Sequence, residues 1–286
     1  MSTSTITLQL DREQKESWRR AAGGWGRRQA ELRAQSEPVA TWLVEAINPQ
    51  PGETVLELAA GPGETGFMIA AGLGATGKLI SSDQSEEMVA IGKARAAELG
   101  LENVAFKVLD AQQLPLDSES VDAVLCRWGY MLMADRDAAL RESRRVLRTG
   151  GRVALSVWDR PDRNPWLAAP VMQLVSRGAF ALPQPDEPAP FSMANQEELV
   201  RQLERAGFSD IHFEALQFSN RYEGFDRYWD LTLDLAAPVA DAVAKLDDDA
   251  AADVREQVRT ALQQFVDGDG TTLSIPASAL MARAGG

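Results

Sequence analysis

Cysteine and histidine are almost absent from this chain of 286 residues, with Cys126 and His212 as the single examples of each. One cysteine excludes an internal disulfide, and the lack of a C-x-x-C pair removes the usual signature of structural zinc. No Ser-His-Asp or Cys-His arrangement supports covalent catalysis, and we expect a structural or surface role for His212. We predict no metal site.

Acidic residues outnumber basic residues, which gives a formal net charge of −13. The sequence also contains no apolar run of 18 residues. An acidic surface repels phosphate backbones and anionic lipids. The N-terminus also lacks a basic leader followed by an apolar stretch, the pattern of a secretory signal. We therefore predict a cytoplasmic protein with neither nucleic acid nor membrane as a partner.

The most informative segment present is TVLELAAGPGETG at 54–66. It predicts a buried strand, a tight glycine turn and the start of a helix. Asp83 ends the next strand-like run, and a glycine turn paired with such a carboxylate is typical of nucleoside binding. Gly61, Gly63 and Gly66 also fit the dinucleotide pattern G-x-G-x-x-G. The alternative is a tight connection that binds nothing.

Strands and helices alternate from residue 54 to residue 158, which indicates a parallel sheet covered on both faces. Ligands of such sheets bind beyond the carboxyl ends of the strands. The segments expected there are 59–63, 83–84, 110–112 and 127–130. We predict helix N-caps at Ser85 and Asn195.

The chain divides into a predicted N-terminal helical cap, 1–49, and a larger domain, 50–286. The cap contains two helices, the second beginning at Pro38. Segments 159–195 and 224–268 interrupt the larger domain and are predicted helical lid insertions. Strands at 210–218 and 272–283 are expected to close the sheet.

These segments resemble the class I S-adenosylmethionine-dependent methyltransferases, especially the group of ubiquinone and menaquinone C-methyltransferases and other small-molecule methyltransferases. The matching pieces include VLELAAGPGETG, LISSDQSEEMV, VDAVLCRWGYMLM and RESRRVLRTGGRVALSVW. The resemblance implies a Rossmann-like α/β fold with seven mostly parallel strands, the last antiparallel. It also implies S-adenosylmethionine as cofactor, with S-adenosylhomocysteine as product, and a role in secondary metabolism.

The resemblance assigns cofactor contacts residue by residue. It places the methionine portion near Glu57 and Arg127, and the ribose on Asp83. The residues that it implies for the cofactor are Glu57, Ala59, Gly61, Gly63, Asp83, Gln84, Met88, Asp110, Ala111 and Arg127. Alternative roles are a buried acid for Glu57, core packing for Met88 and a turn-forming side chain for Asp110.

The chain offers few candidate bases, so proximity and orientation must supply most of the rate. We expect a small, largely apolar acceptor methylated on an activated carbon or an ionisable hydroxyl. Tyr130 is the candidate catalytic residue. The predicted substrate pocket consists of Trp18, Trp25, Trp128, Met131 and Trp166, for which core packing is the alternative.

Two other functions remain open: an NAD-dependent oxidoreductase and a non-catalytic subunit with the methyltransferase fold. The oxidoreductase hypothesis also accounts for the glycine turn and Asp83. However, this chain lacks a Tyr-x-x-x-Lys pair. The N-terminal helix at 11–34 is expected to cover the cofactor of its own chain or of a neighbour, which would make a homo-oligomer. Deletion of residues 1–36 should then weaken cofactor binding.

Overall fold

Seven strands form one sheet in the part of the chain that the computed structural model describes, residues 3–184 and 186–286. They are β1 (Thr54–Leu58), β2 (Lys78–Asp83), β3 (Val104–Val108), β4 (Val121–Arg127), β5 (Leu147–Trp158), β6 (Ser209–Tyr222) and β7 (Leu273–Gly285). Their order is β3-β2-β1-β4-β5-β7-β6. The first five pair in parallel, and β7 is antiparallel to both β5 and β6. The predicted fold class is confirmed.

Ten α-helices accompany the sheet in the described residues. They are α1 (Thr3–Arg27), α2 (Gln29–Ile47), α3 (Glu64–Ala70), α4 (Glu86–Glu98), α5 (Arg136–Val146), α6 (Pro165–Ser176), α7 (Gln196–Arg205), α8 (Gly224–Leu235), α9 (Ala237–Val243) and α10 (Asp248–Leu262). Short 3-10 turns lie at Tyr130–Leu132, Pro161–Arg163 and Gln263–Phe265. None of the described helices combines the length and apolar character that a bilayer crossing requires.

The central strands β1 and β4 are apolar along most of their length and are buried on both faces of the sheet. One face packs against α5 and α7, represented by Leu140 and Leu203. The other packs against α2, α3 and α4, represented by Leu43, Ile69 and Ala96. Covered strands of this kind position their carboxyl ends rigidly, which is where a site forms.

Both predicted N-caps are confirmed. The Ser85 hydroxyl accepts from the Met88 amide at 3.2 Å, and the Asn195 side chain accepts from the Glu198 amide at 3.1 Å. The predicted start of a helix at Pro38 is wrong, because α2 begins at Gln29. Pro38 and Ala34, whose carbonyl loses its intrahelical partner, are both exposed, so water can replace that hydrogen bond.

Side chains from the two predicted insertions form a third apolar cluster, including Leu174 of α6, Tyr228 of α8 and Val258 of α10. Asn164 fixes the start of the first insertion: its amide nitrogen donates to the Ser278 carbonyl at 2.9 Å, and its Oδ1 accepts from the Ser278 amide at 3.0 Å. The predicted domain 1–49 and insertion 159–195 include residues 1, 2 and 185, which lie outside the described residues. The domain division stays a prediction, although α2 packs on the sheet.

Candidate functional site at the carboxyl edge of the sheet

The strand order reverses between β1 and β4, which lie side by side at the centre of the sheet. The residue just after each strand has a positive φ although neither is glycine: 50° at Ala59 and 56° at Trp128. A left-handed backbone costs a non-glycine residue on the order of 1–3 kcal/mol and persists where packing enforces it. A Cβ on Gly129 would lie 2.7 Å from the Ala59 Cβ, so the two turns pack tightly.

The glycine turn after β1 contains two left-handed glycines, Gly61 with φ +55° and Gly63 with φ +88°. A Cβ on Gly63 would lie 2.4 Å from the Phe67 ring, and one on Gly66 would lie 2.1 Å from Glu57 Oε2. Packing inside the protein therefore requires glycine at 63 and 66. Gly61 and Ala59 have exposed surface and can face a ligand, whereas Gly63 is buried.

Asp83 connects the end of β2 to this turn. Its Oδ2 accepts from the Gly61 amide at 2.9 Å, and its Oδ1 accepts from the Ser85 amide at 3.0 Å. Burial raises the pKa of Asp83, while these backbone hydrogen bonds oppose the rise. Each carboxylate oxygen has further lone-pair capacity, so both can still accept from a pair of vicinal hydroxyls.

Glu57 lies beneath the turn, with 2% of its surface exposed. Its Oε1 accepts from the Gly66 amide at 2.8 Å, and its Oε2 lies 3.4 Å from the Ser81 hydroxyl. Burial raises its pKa to about 8, and the Gly66 amide and Arg127 lower it only in part. Glu57 thus fits its alternative role as a buried acid that holds the turn, and a direct ligand contact would require it to become accessible.

Arg127 ends β4, and its side chain points toward α3. The Nε donates to the Thr65 hydroxyl at 2.8 Å, and burial lowers the pKa of the guanidinium while Glu57 and Glu64 oppose that change. Its backbone, not its side chain, remains beside the turn after β4. That arrangement agrees with the implied cofactor contact through the backbone carbonyl, which stays a prediction.

Asp110 follows β3 and forms the turn given as its alternative role. Its Oδ1 accepts from the Gln112 amide at 2.9 Å, and its Oδ2 lies 3.3 Å from Lys15 Nζ. Gln84 is partly exposed at the same edge, and Ala111 is 8% exposed. Met88 is only 1% exposed, so the structure favours core packing over the predicted contact with an adenine.

Helix α1 covers this edge of the sheet. The Trp25 ring lies 3.8 Å from the position of a Cβ on Gly61, and Gly26 packs against Ile91 of α4. Trp18 meets Trp25 edge-on, with 5.5 Å between ring centroids. The predicted pocket residues Trp18 and Trp25 therefore lie on α1 over the glycine turn. We call this helix, Thr3–Arg27, the roof of the site.

The C-terminal end of α8 anchors α1. Asp234 accepts from Arg28 at 2.7 Å and from Arg27 at 3.1 Å, and the Leu235 carbonyl accepts from Trp25 Nε1 at 3.2 Å. A Cβ on Gly24 would lie 2.2 Å from the Asp234 carbonyl oxygen, so glycine permits this close approach. The roof is thus attached to the second insertion.

A row of tryptophans follows β4 and β5. Trp128 stacks on Trp158 with 4.1 Å between centroids and 16° between planes, and Trp166 of α6 lies 5.0 Å from Trp158. The structure thus joins two predicted pocket residues, Trp128 and Trp166, through a third. Trp158 was missed by the sequence analysis, although its position at the end of β5 was a usable signal.

The structure contradicts the predicted catalytic role of Tyr130. Its ring is fully buried, its hydroxyl lies 2.6 Å from the Ser143 hydroxyl, and burial raises the pKa of the phenol far above its usual range. Met131 is 2% exposed, with its sulfur 3.4 Å from the Trp158 amide. Both residues pack in the core because the 3-10 turn at Tyr130–Leu132 directs them toward α5 and β5.

Sequence comparison identifies the family. The methyltransferase domain family matches residues 49–207, more than half of the chain. The chain belongs to the class I methyltransferases. This family uses S-adenosylmethionine, so the predicted family and cofactor are confirmed at that level, and an NAD-dependent oxidoreductase is not favoured.

Individual relatives agree with this assignment. The chain is 33% identical over 181 residues to a demethylmenaquinone methyltransferase of Clavibacter sepedonicus, covering 60% of this chain and 71% of that one. It is 34% identical over 110 residues to the ubiquinone/menaquinone biosynthesis C-methyltransferase UbiE of Acidiphilium cryptum, covering 38% of this chain and 43% of that one. The chain thus spans less than half the length of the latter relative.

Among solved structures, the YcgJ protein of Bacillus subtilis has a TM-score of 0.56 at 18% identity. The similarity covers 86% of this chain and 97% of that protein. At this identity the comparison supports the fold alone.

Proposed function

We propose that this protein transfers a methyl group from S-adenosylmethionine to a carbon or hydroxyl oxygen of a small, largely apolar molecule. The observation that carries the proposal is the link between Asp83 and Gly61 at 2.9 Å, beside the strands where the order reverses. It combines a carboxylate suited to ribose hydroxyls with a turn whose backbone is accessible at 59 and 61.

When bound, S-adenosylmethionine supplies an electrophilic methyl group and its own leaving group. The residues that would hold it are Asp83 at the ribose, the turn at 59–61 along the methionine portion, and the backbone of Arg127 after β4. Asp110 and Gln84 lie on the side of β2 and β3 and would contact the adenine. Trp25 lies over the turn at Gly61 and would reduce the access of water to a bound ligand.

Apolar walls support a small acceptor. The row formed by Trp128, Trp158 and Trp166 extends from β4 to the first insertion, away from β2 and β3. His212 is exposed on the edge strand β6, far along the sheet from β1, and Tyr130 is buried in the core. Neither residue is placed to act as a base, so we expect an acceptor that is nucleophilic by itself or readily ionised, with alignment supplying most of the rate.

The experiment is a transfer assay with methyl-labelled cofactor and a panel of phenols, prenylated indoles and quinols. We expect label in at least one of these small acceptors. Label confined to a lysine-containing protein or to RNA would contradict the proposed acceptor class. Cofactor binding with no transfer to any acceptor class would favour the alternative of a non-catalytic subunit.

We retain further proposals from the sequence: a cytoplasmic location, no nucleic-acid or membrane partner, and a homo-oligomer formed through the N-terminal helix. The net charge of −13 supports the proposal that nucleic acid is not a partner, since a negatively charged protein repels phosphate groups. The ion pairs of Arg20 with Asp241 and of Arg27 with Asp234 attach α1 to the second insertion. Sedimentation of the purified protein measures the oligomeric state directly.

A further inference from the structure

The indole N–H of Trp128 is a buried donor without an acceptor among the described residues. Two neighbouring tryptophans of the site do have acceptors: Trp25 donates to the Leu235 carbonyl and Trp166 to Asn164 Oδ1, each at 3.2 Å. Buried donors are nearly always paired in native proteins, so an unpaired one requires an explanation. A bound ligand that provides the acceptor is such an explanation.

The backbone fixes where this indole lies. Trp128 has φ +56°, a conformation that bulky residues rarely adopt, and its amide donates to the Ser156 carbonyl at 2.9 Å. The next residue cannot carry a side chain, because a Cβ on Gly129 would lie 2.6 Å from Cys126 Sγ. Strain held by packing in this way is concentrated at functional sites.

The ring is also held on its faces. Trp158 stacks at 4.1 Å, and the Arg127 guanidinium lies 4.9 Å from the ring centroid. Both groups contact the ring and hold it in place, and its N–H at the ring edge has no partner among the described residues. Because this N–H is buried, a ligand oxygen can reach it only when a neighbouring side chain moves aside. Trp128 follows β4, next to Ala59 across the switch in strand order, whereas Asp83 and Asp110 lie in the opposite direction along the sheet.

We propose that Trp128 Nε1 donates a hydrogen bond to an oxygen of the methyl acceptor and thereby selects its substrates. This inference rests on the proposed methyl transfer. The substrate class that it defines is an aromatic or apolar molecule with a carbonyl, phenolic or carboxylate oxygen. A site built to donate to such an oxygen strongly rejects the analogue that lacks it, because the buried donor then stays unpaired.

The test uses the indole N–H resonances of the chain of 286 residues, which has seven tryptophans. Loss of one resonance in the Trp128→Phe variant assigns it. The probes are 1-naphthol, 1,4-naphthoquinone and naphthalene, each added to protein saturated with S-adenosylhomocysteine. We expect the Trp128 resonance to move downfield with at least one oxygen-bearing probe and to stay in place with naphthalene.

Affinities complete the test. Trp128→Phe should weaken binding of the oxygen-bearing probe about tenfold or more relative to naphthalene, and leave S-adenosylhomocysteine affinity within about twofold. The matched control is Trp166→Phe, whose N–H already has an acceptor within the protein. It should affect the oxygen-bearing probe and naphthalene equally.

Three results would overturn the proposal. The first is a downfield shift caused by S-adenosylhomocysteine alone, which would assign the N–H to the cofactor carboxylate. The second is an equal effect of Trp128→Phe on naphthalene and its oxygenated analogues, and the third is no shift with any probe. Failure of the proposed methyl transfer is distinct, because the transfer assay would then label no small acceptor, whatever the Trp128 resonance does.

Discussion

The Asp83 carboxylate accepts from the Gly61 amide at 2.9 Å, which ties the end of β2 to the turn after β1. The same carboxylate holds the Ser85 amide at the start of α4. One side chain therefore sets the shape of the turn and presents the negative charge that would meet ribose hydroxyls. Loss of this charge should affect ligand binding more than folding.

Asp83→Asn should weaken S-adenosylhomocysteine binding about 10- to 100-fold, since hydrogen bonds to a charged group contribute about 1.5–3 kcal/mol. Calorimetric titration measures the change. Asp122→Asn is the matched control, because Asp122 also accepts from a backbone amide, Thr54 at 2.7 Å, but lies near the start of β4. An equal loss of affinity in both variants would contradict the role of Asp83.

Helix α1 should contribute to cofactor affinity through its contact with α8. Gly24→Ala places a Cβ against the Asp234 carbonyl, and overpacking of this kind costs about 1–3 kcal/mol. We expect a roughly tenfold loss of S-adenosylhomocysteine affinity and faster proteolysis of α1.

The matched control for this prediction is Gly23→Ala, since Gly23 is exposed and its added Cβ would meet only an Arg27 side-chain nitrogen at 3.5 Å. It should bind like the unmodified protein. A deletion that tests the roof should end at Arg27, because removal of residues 1–36 would also cut away the first turns of α2. Unchanged affinity after deletion of 1–27 would exclude a roof function.

Glu57 should make stability depend on pH. Its folded pKa of about 8 exceeds the ordinary 4.5, so the folded protein holds a proton that the unfolded chain releases. Its contribution is fully present below about pH 4.5 and is lost as the pH rises through 8. At about 1.4 kcal/mol per pKa unit, the loss is at most about 5 kcal/mol.

Urea unfolding at several pH values checks this effect against Glu57→Gln, which stays neutral and keeps an oxygen for the Gly66 amide. The free energy of unfolding of the variant should fall less between pH 5 and 8 than that of the unmodified protein. Parallel curves for the two proteins would show that Glu57 is ionised throughout.

Tyr130→Phe should leave catalysis nearly unchanged. The Ser143 hydroxyl keeps the Ala139 carbonyl as a partner at 2.8 Å, so loss of the phenol should cost only about 1 kcal/mol of folding stability. Turnover of an accepted substrate and urea unfolding measure the two effects. A large fall in turnover with an altered pH profile would restore the catalytic role that the structure contradicts.

Local patterns predicted the sheet well, because the spacing of apolar residues, the helix caps and the glycine turns are all encoded within short segments. The predicted end of β2 at Asp83 and the N-caps at Ser85 and Asn195 match the structure. Pro38 misled the prediction, since an exposed proline can continue a helix when water meets the freed carbonyl. The site was less predictable because burial depends on tertiary packing: Tyr130 and Met131 follow β4 just after Trp128, yet they turn inward.

The contact of α1 with α8 could not be foreseen either. It joins Gly24 to Asp234 across some two hundred positions of sequence, and neither residue forms a local motif. Trp158, in contrast, stood at the end of a predicted strand. Its stack with Trp128 forms only when β4 and β5 pair, so the sequence alone does not show the contact.

Isothermal titration of the purified chain with S-adenosylhomocysteine, and separately with NAD, tests the central claim most directly. We predict saturable one-site binding of S-adenosylhomocysteine, weakened by Asp83→Asn, and no heat of binding with NAD. Binding of NAD without S-adenosylhomocysteine, or of neither compound, would contradict the proposed methyl transfer and the site at the carboxyl edge of the sheet.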